Sequence, residues 1–357
     1  METKCSGKTQ SVFGTTKFIF MWLELRWNWL ATCSRKSIFT GKRVCNNMER
    51  GFEMTSLPKK KIRVHFRKPV TLLRYEGVST VCEESRCPNR YECSAAGVAT
   101  FLIGGRVCTR ACGFCHILTG KPPAMELFRK KEEKEILDYV TSAHLQAVVI
   151  TSVARDDDEE GLANHFASIT RKLLDARVDV EVLIPDFHAN PALLNIIASA
   201  KPTVIAQNME TVKRLTKKVR PQAGYERTLN VFRYLKKEHP NIILKSGFMV
   251  GLGETLSEIK ELLQDLQEAG VEIVTIGQYL RPSQKQLPVE KIYSENEFQD
   301  LKMIVQDMGF EAYEIGPFVR SSYMASRTIE AIKQKKAKTA PSRSIPPSYR
   351  NIEDKNR

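Results

Sequence analysis

From about residue 98 onward, short apolar runs alternate with longer stretches in which apolar positions recur every three or four residues. The runs Ala99–Ile103, Ala147–Thr151, Val180–Ile184, Thr203–Ala206, Ile242–Val250 and Val271–Ile276 are rich in valine and isoleucine and predict strands. Between them, 130–145, 160–176, 190–199, 226–238 and 255–268 carry amphipathic helical spacing, and Pro191 sits where a helix start tolerates it. Alternation at a spacing of roughly 30 residues predicts parallel strands joined by right-handed crossovers. The six units predict an α/β fold, a partial (βα)6 TIM-type barrel; a doubly wound open sheet is the rival, which periodicity alone does not separate. In either winding, sites gather at the carboxyl ends of the strands.

Charge distribution changes the picture of the ends. The formal net charge of +14 suggests a nucleic-acid binder at first sight. Residues 1–68 carry a net +11 and residues 333–357 a net +6, which leaves −3 for residues 69–332. A nearly neutral body with basic ends argues against nucleic-acid binding and for solvated tails. The tail from Lys333, rich in Lys, Pro and Ser, is expected to be disordered. Residues 1–55 fit no fold pattern. Phe18 to Leu30 is apolar but short and interrupted by Glu24 and Arg26, so no membrane span is expected there. The leader reads as a gene-model artefact preceding a start near Met48 or Met54 and a cytoplasmic protein. Its alternative is an organelle transit peptide, mitochondrial or plastid.

The cysteines carry the chemistry. Six of the nine fall between Cys82 and Cys115, and none follows. Such crowding in a chain of 357 residues indicates metal or redox chemistry rather than a disulfide framework. Cys108, Cys112 and Cys115 form a C-x3-C-x2-C triad just after the first strand and Gly104-Gly105. Three thiolates can hold three irons of a cubane and leave the fourth open to a small ligand. A zinc site is the alternative. Cys82, Cys87 and Cys93 form a second triad, C-x4-C-x5-C, in a loop-rich segment; its alternative is a set of buried, unliganded cysteines.

The first triad resembles the signature of radical-SAM enzymes, and the two together resemble lipoyl synthase over about residues 60–335. Further matching stretches are Val149–Asp157, Lys245–Glu254, Thr275–Leu280 and, most telling, Gly316-Pro-Phe-Val-Arg-Ser-Ser-Tyr323. The resemblance implies a radical-SAM partial barrel over 99–310. It also implies an N-terminal extension over 56–98 and a C-terminal segment over 311–332. It implies S-adenosyl-L-methionine (SAM) and two 4Fe-4S clusters: a radical-generating one on Cys108, Cys112 and Cys115, and an auxiliary one on Cys82, Cys87, Cys93 and Ser322. It implies insertion of two sulfurs, drawn from the auxiliary cluster, at C6 and C8 of a protein-bound octanoyl-lysine. Expected partners are octanoylated lipoyl carrier domains of 2-oxoacid dehydrogenase acyltransferase subunits or of the glycine cleavage system. An electron donor such as ferredoxin or flavodoxin is also expected, with no nucleic acid and no membrane. Without the resemblance, Ser321-Ser322-Tyr323 reads as a cap for a helix over 325–336.

Asn208 and Glu210, beyond the fourth strand, are candidate SAM contacts, and Asp156, within Arg155–Glu160, lies in the expected SAM region. That acidic stretch also reads as a divalent-ion site or, more simply, as a helix N-terminus. Gly251 and Gly253 permit close backbone approach to a ligand or form a turn. Lys59, Lys60, Lys61 and Arg63 are a candidate basic rim for an acidic carrier. Gln286 and Met324 stand where the family usually has histidine, Ser94 where tryptophan is common, and Gln207–Glu210 where His-Asn-Leu-Glu is more usual.

Overall fold

The computed structural model describes residues 79–84, 89 and 98–339, with only the backbone of Cys82. The leader over 1–55, the rim of Lys59–Lys61 and Arg63, Cys87, Cys93, Ser94 and the tail past Thr339 lie outside the described residues. In chain order the elements are α1 (Val81–Glu84), β1 (Val98–Ile103), β2 (Val107–Cys108), β3 (Leu118–Thr119), α2 (Arg129–Ser142) and β4 (Ala147–Ser152). There follow α3 (Glu159–Asp175), β5 (Asp179–Leu183), α4 (Pro191–Ala198), β6 (Val204–Ala206), α5 (Thr216–Val219), α6 (Tyr225–Glu238) and β7 (Ile243–Val250). The chain then forms α7 (Leu256–Glu268), β8 (Ile273–Gln278), α8 (Glu295–Asp307), β9 (Ala312–Gly316) and α9 (Ala325–Thr339). No helix among the described residues is long and apolar enough to cross a membrane.

Seven strands pair in parallel in the order β1-β4-β5-β6-β7-β8-β9. The order never reverses, which separates this sheet from a doubly wound one. The faces agree. Phe101, Ile103, Val148, Ile150, Val180, Val182, Ile205, Leu244, Val274 and Ile276 share one cluster with residues of α2, α3, α4, α6, α7 and α8. All these crossover helices therefore cover one outer face, as right-handed crossovers along an unreversed order require. No pairing joins β1 to β9 among the described residues, so the barrel is partial.

The inner face has a different cover. Val204, Ile243 and Ile273 pack against Ile329 and Ile332 of α9, and Val149 against Ala325. Polar positions lie among these apolar ones, with Glu181 in register with Val149 and Val204 and Lys245 with Ile273. Lys245, two residues beyond Ile243, forms a bidentate pair with Glu181 on β5, Nζ to both carboxylate oxygens at 2.9 Å. Both side chains are buried. Glu314 on β9 faces the same layer, and burial pushes its carboxyl up against the opposing pull of Arg327, Lys245 and Lys302.

Two boundaries differ from the sequence reading. The barrel sheet does not end at 310, because α8 and β9 add a seventh unit. Ser294 caps α8 in a capping box closed by Glu297, a Ser-x-x-Glu signal that the apolar periodicity alone passes over. Lys333 does not begin the tail: α9 continues to Thr339 through Lys, Gln and Ala, which are good helix formers.

Candidate active site

The site begins where β1 ends. Gly104 and Gly105 have φ of 82° and 86°, the left-handed region that glycine adopts without a Cβ penalty. Their amides donate to the two carboxylate oxygens of Glu132 on α2, at 3.1 and 3.0 Å. Arg155, fully buried, donates to the carbonyls of Gly104 and Pro123 and pairs with Asp157. It thereby ties the start of the cysteine loop to its end.

The cysteine triad sits on the loop so anchored. Cys108 ends β2, and its sulfur accepts amide hydrogens from Arg110 at 3.4 Å and Ala154 at 3.3 Å. Arg110 pairs with Asp156 at 2.6 Å and with Asp186 at 2.8 Å, so the loop is held against the ends of β4 and β5. The Gly113 amide donates to Val219 O, and its carbonyl accepts from Leu287 N. All three cysteines are free thiols, half-buried. Burial, with Glu210 and the other two cysteines, pushes Cys112 up to about 12. Burial also raises Cys115, against amide hydrogen bonds from Ile117 and His116. Three thiolates beside a carboxylate repel one another, so ionising them together requires a polycation in their midst. The triad supplies three thiolates, the number that leaves one corner of a cubane open to a small ligand, whereas a structural zinc site is closed by four donors, so the donor set fits an iron–sulfur cluster better than zinc.

Asn208 and Glu210 face this loop from the end of β6. Glu210 has a left-handed φ of 65°, fixed because its amide donates to Gly247 O and its carbonyl accepts from Met249 N. Asn208 Nδ2 donates to Glu210 Oε1 at 2.9 Å and to Ser321 Oγ at 2.6 Å. Arg220, buried, donates to Asn208 O and to Thr228. Burial lowers the Arg220 guanidinium and raises the Glu210 carboxyl. Asn208 Oδ1 and Arg220 Nε are buried with no partner among the described residues. Orphaned polar atoms beside the thiols suit a polar ligand such as the amino-acid end of SAM.

The Arg-Ser-Ser-Tyr segment reaches the same mouth. Ser322 Oγ accepts from Thr100 Oγ1 on β1 at 3.0 Å. Gly277, on the inner face of β8, lets this segment approach: a Cβ there would collide with Val319 O. Asn89, between Cys87 and Cys93 in sequence, donates from Nδ2 to Phe318 O, and α1, which contains Cys82, lies beside β1, where Thr80 bridges to Phe101. The backbone thus brings parts of the second cysteine segment to the strand and loop that hold Ser322.

The comparisons bear on this geometry. Residues 102–266 match the radical SAM superfamily. The lipoyl synthase of Caldicellulosiruptor saccharolyticus is 45% identical over 265 residues, 74% of this chain and 92% of its own. The chain belongs to the lipoyl synthase family. The lipoyl synthase of Picrophilus torridus is 47% identical over 248 residues, 69% of this chain and 85% of its own. Among solved structures, Escherichia coli coproporphyrinogen III oxidase, described as a radical SAM enzyme, covers 71% of this chain and 65% of its own at TM-score 0.48 and 11% identity. As a lipoyl synthase the chain is a sulfur-inserting radical-SAM enzyme. It uses SAM and a 4Fe-4S cluster and acts on an octanoylated carrier protein.

The other candidates have the following partners in the structure. Asp158 caps α3, accepting from Gly161 N, and Asp157 partners Arg155. Asp156 lies within 4.8 Å of Glu159 and His188, but it is already paired with Arg110 and Thr109. Gly251 forms a turn whose amide, with that of Leu252, donates to Glu254. Gln286, where the lipoyl synthase family usually has histidine, donates to Cys115 O at 3.0 Å and braces the cysteine loop. Met324 is buried at the start of α9. Sequence reasoning missed Glu132, Arg110, Asp186, Arg220 and Thr100. The partners of Glu132, Arg110, Asp186 and Thr100 lie far along the chain, those of Arg220 lie in the loop before it and the helix after it, and the signals available were the strand candidates that contain Thr100 and precede Asp186.

Proposed function

We propose that this lipoyl synthase works with two 4Fe-4S clusters and converts octanoyl-lysine on lipoyl carrier domains into lipoyl-lysine. When bound, the clusters and SAM supply a deoxyadenosyl radical, which abstracts hydrogen from C6 and C8, and the two sulfurs that replace it. Cys108, Cys112 and Cys115 would hold the radical-generating cluster. Cys82, Cys87, Cys93 and Ser322 would hold the auxiliary one. The observation that carries this reading is the meeting of Ser321 with Asn208 and of Ser322 with Thr100, one dipeptide spanning the SAM side and the β1 side of the same mouth.

The chain's own residues do the rest. Asn208, Glu210 and Arg220 would orient the amino-acid end of SAM beside the cysteine loop. Glu132, Arg155 and Arg110 hold that loop in place, so a cluster bound there would be fixed relative to the substrate. The carriers would be 2-oxoacid dehydrogenase acyltransferase subunits or the glycine cleavage carrier, with ferredoxin or flavodoxin as electron donor.

Iron and acid-labile sulfide, counted after anaerobic reconstitution, test the two-cluster reading. The parent chain is expected to hold about eight irons and the Cys82→Ala/Cys87→Ala/Cys93→Ala variant about four. About four irons in both proteins would confine the metal to the Cys108 loop and leave the reaction without this sulfur source.

A further inference from the structure

We propose that Thr100 is a positioning residue that sets the Ser322 hydroxyl for the auxiliary cluster. This rests on the reading of Ser322 as a ligand and adds a residue that the cysteine and serine motifs do not contain. Thr100 is buried on the inner face of β1, in register with Val149 of β4. Val149 packs with Ala325 and Tyr323, so the chain on the carboxyl side of Ser322 is seated beside Thr100. On the amino side, Ser321 is held by Asn208. The backbone of Ser322 is thus fixed on both sides, and only its side-chain rotamer is left to choose. Serine has three staggered choices, and the Thr100 hydrogen bond at 3.0 Å selects one. Because Thr100 donates, the serine oxygen keeps its own proton and a second lone pair for another neighbour. That is the geometry in which it can exchange a proton for an iron without moving.

Thr100→Val removes the donor at nearly constant shape and keeps a β-branched residue in a strand, so the fold should persist. Thr100→Ser restores the hydroxyl. The test uses the full chain carrying Cys108→Ala/Cys112→Ala/Cys115→Ala, so that the auxiliary cluster alone is read. Each variant is reconstituted anaerobically, iron release to excess chelator is timed, and the remaining cluster is examined by parallel-mode electron paramagnetic resonance, which detects the integer-spin three-iron core left when a ferrous ion departs without an oxidant. Ser322→Ala is expected to lose one iron rapidly and show a three-iron signal. Thr100→Val should show the same signal, with release at least about tenfold faster than the parent, the ratio expected for a hydrogen bond that supports a charged oxygen. Thr100→Ser should return to the parent rate. Parent-like release from Thr100→Val beside fast release from Ser322→Ala would overturn the role of Thr100 alone. Equal release from Thr100→Ser and Thr100→Val would overturn it too, by showing that packing and not the hydroxyl matters. Parent-like release from Ser322→Ala would instead remove Ser322 as a ligand, and the underlying reading with it.

Discussion

Replacing Gly277 with alanine is expected to lower lipoyl product formation by about a hundredfold, the scale on which displacement of a reacting group by an ångström acts. Cleavage of SAM to 5′-deoxyadenosine should fall far less, because Asn208, which the displaced loop touches through Ser321, is also held by Arg220 at its carbonyl and by Glu210. The separation follows from how the two halves of the site are held. Gly277 pairs with Met249 on one side and Gly316 on the other, so its backbone has no room to retreat. A Cβ there meets the carbonyl of Val319, which is backbone and not the flexible end of a side chain. The displaced piece is the loop that carries Ser321 and Ser322. The cysteine triad hangs on other supports: Glu132 at the Gly104-Gly105 turn, the pairs of Arg110 with Asp156 and Asp186, and Val219 O. Mass spectrometry of 5′-deoxyadenosine and of the carrier peptide, from one reaction, reads both halves. Product formation within a few-fold of the parent would show that the segment shifts at no cost to sulfur transfer. A parallel collapse of both would show that the halves are not separately held.

Much of this architecture was legible in the sequence because it rests on local signals. Each of the six expected strands appears within two residues of its apolar run, since valine and isoleucine runs mark strands buried on both faces. The Cys108 loop fell after the first strand because barrel sites do. Two kinds of feature escaped. β9 is five residues long with Glu314 at its centre, and an inner-face carboxylate breaks an apolar run. The other kind is pairing across distance: Glu132 with Gly104, Arg110 with Asp186 and Thr100 with Ser322 join residues whose separation no periodicity encodes. The Ser322 assignment came from resemblance. The structure adds a physical setting for it in the Thr100 hydroxyl.

The same limit hid the pairing of Glu181 with Lys245, two charged residues that sit within otherwise apolar runs. Lys245→Met is expected to destabilise the protein by about 3–5 kcal/mol, measured by denaturant unfolding of the reconstituted chain. The lysine is 1% exposed and its partner 0%, so the variant leaves a carboxylate with neither water nor cation. Adding Glu181→Leu should recover most of the loss, because a well-packed apolar pair can replace a buried ion pair. A cost below about 1 kcal/mol for the single variant would mean that water reaches Glu181, as at an exposed pair. Activity should suffer beyond the stability loss. The Lys245 carbonyl accepts from Gln207 N, and Ser246 Oγ donates to Gln207 O, so β7 at this level fixes the residue just before Asn208. If the strand shifts to admit water to Glu181, Asn208 moves with it, and with Asn208 goes the hydroxyl of Ser321. The apolar double variant should then restore stability and SAM cleavage together, since both depend on the position of β7 and neither requires the charges themselves.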